Sequence, residues 1–161
     1  VNHLEARLRR LEDIEAIRNL DAAYCRLVDT GDWPGLVALF TADGTFDGLA
    51  VVTGSADLLA FFSGLADSGM RFWHHVSNHE IAVDGDTATV RSMLWQPCVV
   101  DDVPHVAAGR YSDSVVRTAE GWRYAVKRVR FDYWGPLRDG WDRHRFGFAP
   151  AAGAATPGRA G

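Results

Sequence analysis

Three histidines, His74, His75 and His79, fall within one short stretch of branched and polar residues. An imidazole beside a carboxylate has a defined use: the carboxylate fixes one ring tautomer and favours the protonated form, while the other nitrogen moves a proton. In an extended strand His74 and His75 point to opposite sides, so only one of them faces an interior unless a bulge intervenes. Parity groups His75 with Ile81 and Val83, and His74 with Asn78. His75 and His79 share parity, a spacing open to a metal pair, but no third ligand is evident and no metal is expected. Cys25 and Cys98 form no CxxC pair. Cys98 has no evident activating partner and reads as a small cavity-lining residue rather than a nucleophile. No glycine-rich phosphate loop is present.

The elements that must hold these groups follow from the spacing of apolar residues. Leu4, Leu8, Leu11, Ile14, Ile17, Leu20, Tyr24 and Leu27 recur at steps of three and four, predicting one stripe of a long helix over 4–28. Tyr24 therefore reads either as core or as pocket wall. Thr30-Gly31 ends this helix. Asp32 then caps a short second helix through Phe40, with Pro34 in its first turn. A loop or short strand is expected around 45–52, and Ser55 caps a third helix with Leu58, Leu59, Phe62 and Leu65 on its buried face. From Phe72 the pattern turns to long strands over 72–83, 87–100, 105–118 and 122–134, with hairpin signals at Asp84-Gly85-Asp86 and Ala119-Glu120-Gly121. Helices followed by antiparallel strands define an α+β domain: a curved antiparallel sheet packed as a cone on a long N-terminal helix and two shorter ones. One such domain is expected over residues 1–148, with a disordered Ala/Gly/Pro-rich tail over 149–161.

Composition narrows the partners. The chain has 161 residues, a net charge of -4, six Trp, four Tyr and eight Phe. Arg7, Arg9 and Arg10 are diluted by Glu5, Glu12 and Asp13, which argues against nucleic acid. No segment reaches the roughly 20 apolar residues of a membrane span. Two distant cysteines and no signal-like start point to a cytoplasmic protein.

The run Leu11–Ile17, the stretch Tyr24–Trp33, the segment His74-His75-Val76-Ser77-Asn78-His79 and the pieces Val83–Asp86, Gly109-Arg110-Tyr111 and Gly121-Trp122-Arg123 resemble the SnoaL-like, scytalone-dehydratase-related domains of the nuclear transport factor 2-like superfamily. The resemblance implies that Asp29 is a pocket carboxylate rather than a partner of the helix end or Arg26. It also implies that Tyr24 is the tyrosine of a Tyr/Asp pair and His74 the central histidine, with His75 as its substitute. Arg110, Asn78, His75, Cys98, Phe62 and Trp95 are the expected substrate contacts, and Phe46, Leu58, Leu94 and Phe131 further candidate walls. At a second family histidine position this chain carries Cys98, and around Gly48 a family tyrosine is missing, so scytalone itself is not the implied substrate. The implied function is a cofactor-independent acid–base enzyme, a dehydratase, isomerase or cyclase. Its substrate would be a small, largely apolar polycyclic, polyketide or terpenoid-like molecule. The alternatives are an epoxide-opening cyclase or hydrolase, and a non-catalytic ligand-binding or oxygenase small-subunit-like protein. The wide sheet implies a homodimer or homotrimer.

Overall fold

A computed structural model describes residues 2–140; the tail expected over 149–161 lies outside them. Helix α1 runs over His3–Thr30. Asn2 and Glu5 close a capping box at its start, and Gly31, at φ 76°, ends it in the left-handed conformation that glycine adopts without Cβ strain. The expected single apolar stripe divides into two. Ile17, Leu20, Tyr24 and Val28 are buried, whereas Leu4, Leu8 and Leu11 are 66%, 54% and 64% exposed. From Leu8 to Leu20 the apolar residues step by threes, each step short of the 3.6-residue turn, so the stripe winds round the helix and leaves the core.

Asp32 caps α2 (Trp33–Val37), accepting the Gly35 N–H at 3.0 Å. This helix stops sooner than expected, because Phe40 already begins β1 (Phe40–Asp47). Strand β2 (Val51–Thr53) and helix α3 (Ser55–Asp67) follow. The sheet continues with β3 (Arg71–Phe72), β4 (His75–Asp84), β5 (Thr87–Val100), β6 (Val103–Thr118) and β7 (Gly121–Pro136). Its order is β2-β1-β7-β6-β5-β3, with β4 also pairing β5. The β3 to β7 pairings are antiparallel, but β1 pairs β7 in parallel, so the sheet is mixed.

Alternation along β5, β6 and β7 turns Val90, Leu94, Tyr111, Val115, Tyr124 and Val129 inward against α1 and α3. At Gly109 the β6–β7 register shifts, and a Cβ there would sit 2.6 Å from the Arg130 carbonyl oxygen, so glycine permits the close approach that bends the sheet. The N-terminal half of α1 is pinned by polar contacts. Arg117 donates two bonds to Asp13, at 2.7 and 2.8 Å, and stacks 4.5 Å from the Trp122 ring centroid. The Trp122 indole N–H reaches the same carboxylate at 3.3 Å.

Candidate functional site

The strand expected over 72–83 is interrupted, and the interruption builds the site. Trp73 and His74 lie between β3 and β4, free of either strand's pleat. The His74 backbone N–H donates to Asp29 Oδ2 at 2.9 Å, and its ring Nδ1 lies 2.6 Å from Asp29 Oδ1. One carboxylate in the last turns of α1 thus binds the residue twice. With an ionised Asp29, Nδ1 carries the ring proton and Nε2 is left with its lone pair. Nε2 has no hydrogen-bond partner among the described residues. Asp29 makes these bonds rather than a pair with Arg26.

The His74 ring lines a narrow cavity of about 40 Å3 between α1, α3 and the inner face of the sheet. Tyr24 stands edge-on to it with ring centroids 6.3 Å apart. Tyr24, Asp29 and His74, inferred from separate stretches of sequence, therefore meet at one place. Phe62, Phe46 and Phe131 also line the cavity; Leu58 and Leu94 belong to the core but not to this wall. Two polar residues were missed. Gln96 and Tyr111 line the same cavity, and their side-chain polar atoms, like the Tyr24 hydroxyl, have no hydrogen-bond partner among the described residues. Both were within reach of strand parity, Gln96 through Leu94 and Tyr111 through its opposition to Arg110.

The remaining expected contacts lie elsewhere. Arg110 is half exposed on the outer face of the sheet and pairs with Asp132 at 2.9 Å. Asn78 is exposed, and its amide donates to the Met93 sulfur at 3.2 Å. Trp95 is exposed beside Met93, and His75, its cross-strand neighbour, also faces out. Cys98 is buried on the inner face but does not reach the cavity wall. For His75 the reason lies at Asn78, whose φ of 56° marks a bulge in β4 that shifts the register between Ser77 and Glu80. Parity counted back from Ile81 and Val83 inverts across it. His79 consequently turns inward to Asp21, at 3.0 Å, while His75 does not. No metal-holding group of His, Cys, Asp or Glu side chains occurs among the described residues.

Two outer hollows flank the cavity. A groove of about 320 Å3, lined by Asp29, Trp33, Arg71 and Trp73, shares Val28, Leu65 and Phe72 with it, so these three apolar side chains form the partition. A second hollow of about 360 Å3, lined by Arg18, Cys25, His75 and His79, meets the cavity at His74. Burial pushes the Cys25 thiol up to about 12, which leaves it a poor nucleophile. Burial likewise holds the Tyr24 phenol above its ordinary range, against the pull of the neighbouring Lys127 ammonium, so the hydroxyl keeps its proton.

A curled mixed sheet closed over a long helix, with a histidine–aspartate pair at an apolar cavity, defines an α+β cone of the nuclear transport factor 2-like type. The SnoaL-like domain model matches residues 9–128, and the chain belongs to that family. An uncharacterized protein of Mycobacterium tuberculosis is 29% identical over 127 residues, spanning 74% of this chain and 84% of the relative. Two solved structures from Novosphingobium aromaticivorans share the fold. One, provisionally named an aromatic ring hydroxylase, is 29% identical with a TM-score of 0.71, covering 80% of this chain and 96% of that one. The other, provisionally named a scytalone dehydratase, is 23% identical with a TM-score of 0.73, covering 79% and 89%.

Proposed function

We propose that the chain is a cofactor-independent acid–base enzyme of the dehydratase, isomerase or cyclase class, acting on a small, largely apolar molecule with a polarisable oxygen. One observation carries the reading: His74 is held by Asp29 at 2.6 Å with its second nitrogen unspent, at an apolar cavity that also receives the Tyr24 phenol. His74 Nε2 removes a proton next to a carbonyl, Asp29 fixes the tautomer and balances the imidazolium, and Tyr24 donates to the oxygen as charge develops. In a dehydration the same imidazolium returns its proton to the departing oxygen. At about 40 Å3 the resting cavity has room for no more than a few waters. A ring-sized substrate enters as Phe72 and Leu65 move and join the cavity to the outer groove.

The family supports this reading, and one fold relative carries a dehydratase name. A second reading, a non-catalytic partner of an oxygenase, draws on the relative named for ring hydroxylation and on the exposed Trp73, Met93 and Trp95. Those three side chains also suit a homodimer or homotrimer contact. Among the described residues no helix is long and apolar enough to cross a membrane.

The test is proton exchange in heavy water. A panel of cyclic ketones and β-hydroxy ketones is incubated with the protein, and deuterium uptake next to the carbonyl is followed by NMR. Uptake that vanishes in His74→Ala, with the melting temperature preserved, supports the proposal. Equal uptake by wild type and His74→Ala refutes it, and copurification with a large oxygenase subunit would favour the second reading.

A further inference from the structure

Lys127 takes no part in the chemistry above, yet it is 1% exposed, and a buried ammonium is costly unless its surroundings compensate it. Asp113 Oδ2 at 2.9 Å and Asp21 Oδ1 at 3.2 Å supply the compensation, with the Tyr124 hydroxyl at 3.4 Å. Nζ also stands 4.0 Å from the ring centroid of Tyr111 and 4.4 Å from those of Tyr24 and Tyr124. Tyr124 spends its hydroxyl on Asp21. Tyr24 and Tyr111 line the cavity instead, with hydroxyls that meet no acceptor among the described residues. Their rings are fixed by the cation and by edge-to-face contact, with centroids 6.3 Å apart, so orientation is achieved without spending either O–H.

We infer that Tyr24 and Tyr111 act as a paired donor to one anionic oxygen of the ligand, an enolate or phenolate, and that Lys127 is the residue that positions and polarises them. The inference rests on the acid–base reading of the cavity and extends it by one donor and one positioning residue. The two carboxylates oppose the ammonium's field, but they are not equivalent. Burial pushes Asp113 up, despite Lys127 and the Arg128 N–H at 3.0 Å, whereas Lys127, His79 and Tyr124 hold Asp21 low against its own burial. It is the ammonium, not either carboxylate, that lies against the two ring faces, so its charge is the nearest that the Tyr24 and Tyr111 phenols feel.

The test uses 4-nitrophenol, whose ionised form absorbs in the visible, and its uncharged methyl ether as control. Below the free phenol's pKa, wild-type protein should bind the phenol with a larger ionised fraction than free solution shows. Y111F removes a hydroxyl that has no partner among the described residues. It should melt as wild type does and lose about tenfold in phenolate affinity. K127M/D113N removes the ammonium with one carboxylate, and should lose a similar factor while methyl-ether affinity stays unchanged. That split would not follow from a merely structural lysine. Absence of phenolate enrichment in a wild-type protein that still shows His74-dependent deuterium uptake would overturn this inference alone, and absence of both would overturn the acid–base reading with it. Enrichment in wild type that persists in Y111F or in the double variant would overturn this inference alone. Y111F decides the donor pair even if the double variant does not fold.

Discussion

Asp29→Asn is the sharpest perturbation the geometry offers, because a single atom type changes while the shape of the site is kept. In the native chain both Asp29 oxygens accept, one from the His74 backbone N–H at 2.9 Å and one from Nδ1 at 2.6 Å. An asparagine can keep its carbonyl on the backbone N–H and then presents an NH2 group to the ring. Two donors cannot face each other, so the imidazole must move its proton to Nε2, the nitrogen that has to act as base. Losing a charge-assisted bond to the imidazolium costs about 1.5–3 kcal/mol, or roughly 10- to 100-fold in rate. The tautomer change adds to this, so the total loss should approach the 10²–10⁴ range of general-base removal. Two assays separate the causes. Deuterium uptake should fall by that factor, and 15N NMR of the histidine side chains should report a change from the Nδ1–H to the Nε2–H tautomer at His74. Fold is monitored by melting, since the half-buried Asp29 also anchors the segment between β3 and β4. An Asp29→Asn protein that melts normally and exchanges protons at the wild-type rate would refute the orienting role.

Other consequences follow from the same coordinates. Arg117 and Trp122 hold the Asp13 carboxyl below its usual value, so this contact stabilises the fold above the unfolded-state pKa near 3.9 and is lost as pH falls below it. Asp13→Asn should therefore lower the unfolding free energy by about 1–3 kcal/mol at neutral pH, with the gap to wild type narrowing in urea melts below about pH 4. Arg110→Ala breaks an exposed pair on the outer face; it should cost less than about 1 kcal/mol and leave proton exchange unaltered, contrary to what the family position implies. Phe72→Ala removes part of the partition, and should raise affinity for naphthalene-sized ligands in calorimetry while lowering stability by about 1–3 kcal/mol.

Strand β5 was legible to the residue, because Thr87–Val100 alternates without interruption and a clear turn precedes it. The Gly31 cap that ends α1 and the turns at Gly85 and Gly121 were legible for similar local reasons. What the sequence concealed was every place where periodicity breaks. The bulge at Asn78 inverted the parity that should have chosen between His74 and His75, and only the resemblance pointed to His74. Steps of three carried Leu4, Leu8 and Leu11 off the buried face of α1 although their spacing looked continuous. The parallel pairing of β1 with β7 joins segments far apart in sequence, for which no local signal exists. Lys127 escaped for the same reason. Its carboxylate partners come from α1 and β6, and a lysine between Val126 and Arg128 reads as a solvated strand residue until Asp21 and Asp113 are brought beside it.

A crystal structure with an aromatic ketone bound would test the site most directly. The account requires the carbonyl oxygen within hydrogen-bonding distance of the Tyr24 hydroxyl and the acidic carbon turned to His74 Nε2. A ligand seated instead in the hollow beside His75 and His79, or on the outer face near Trp95, would contradict it.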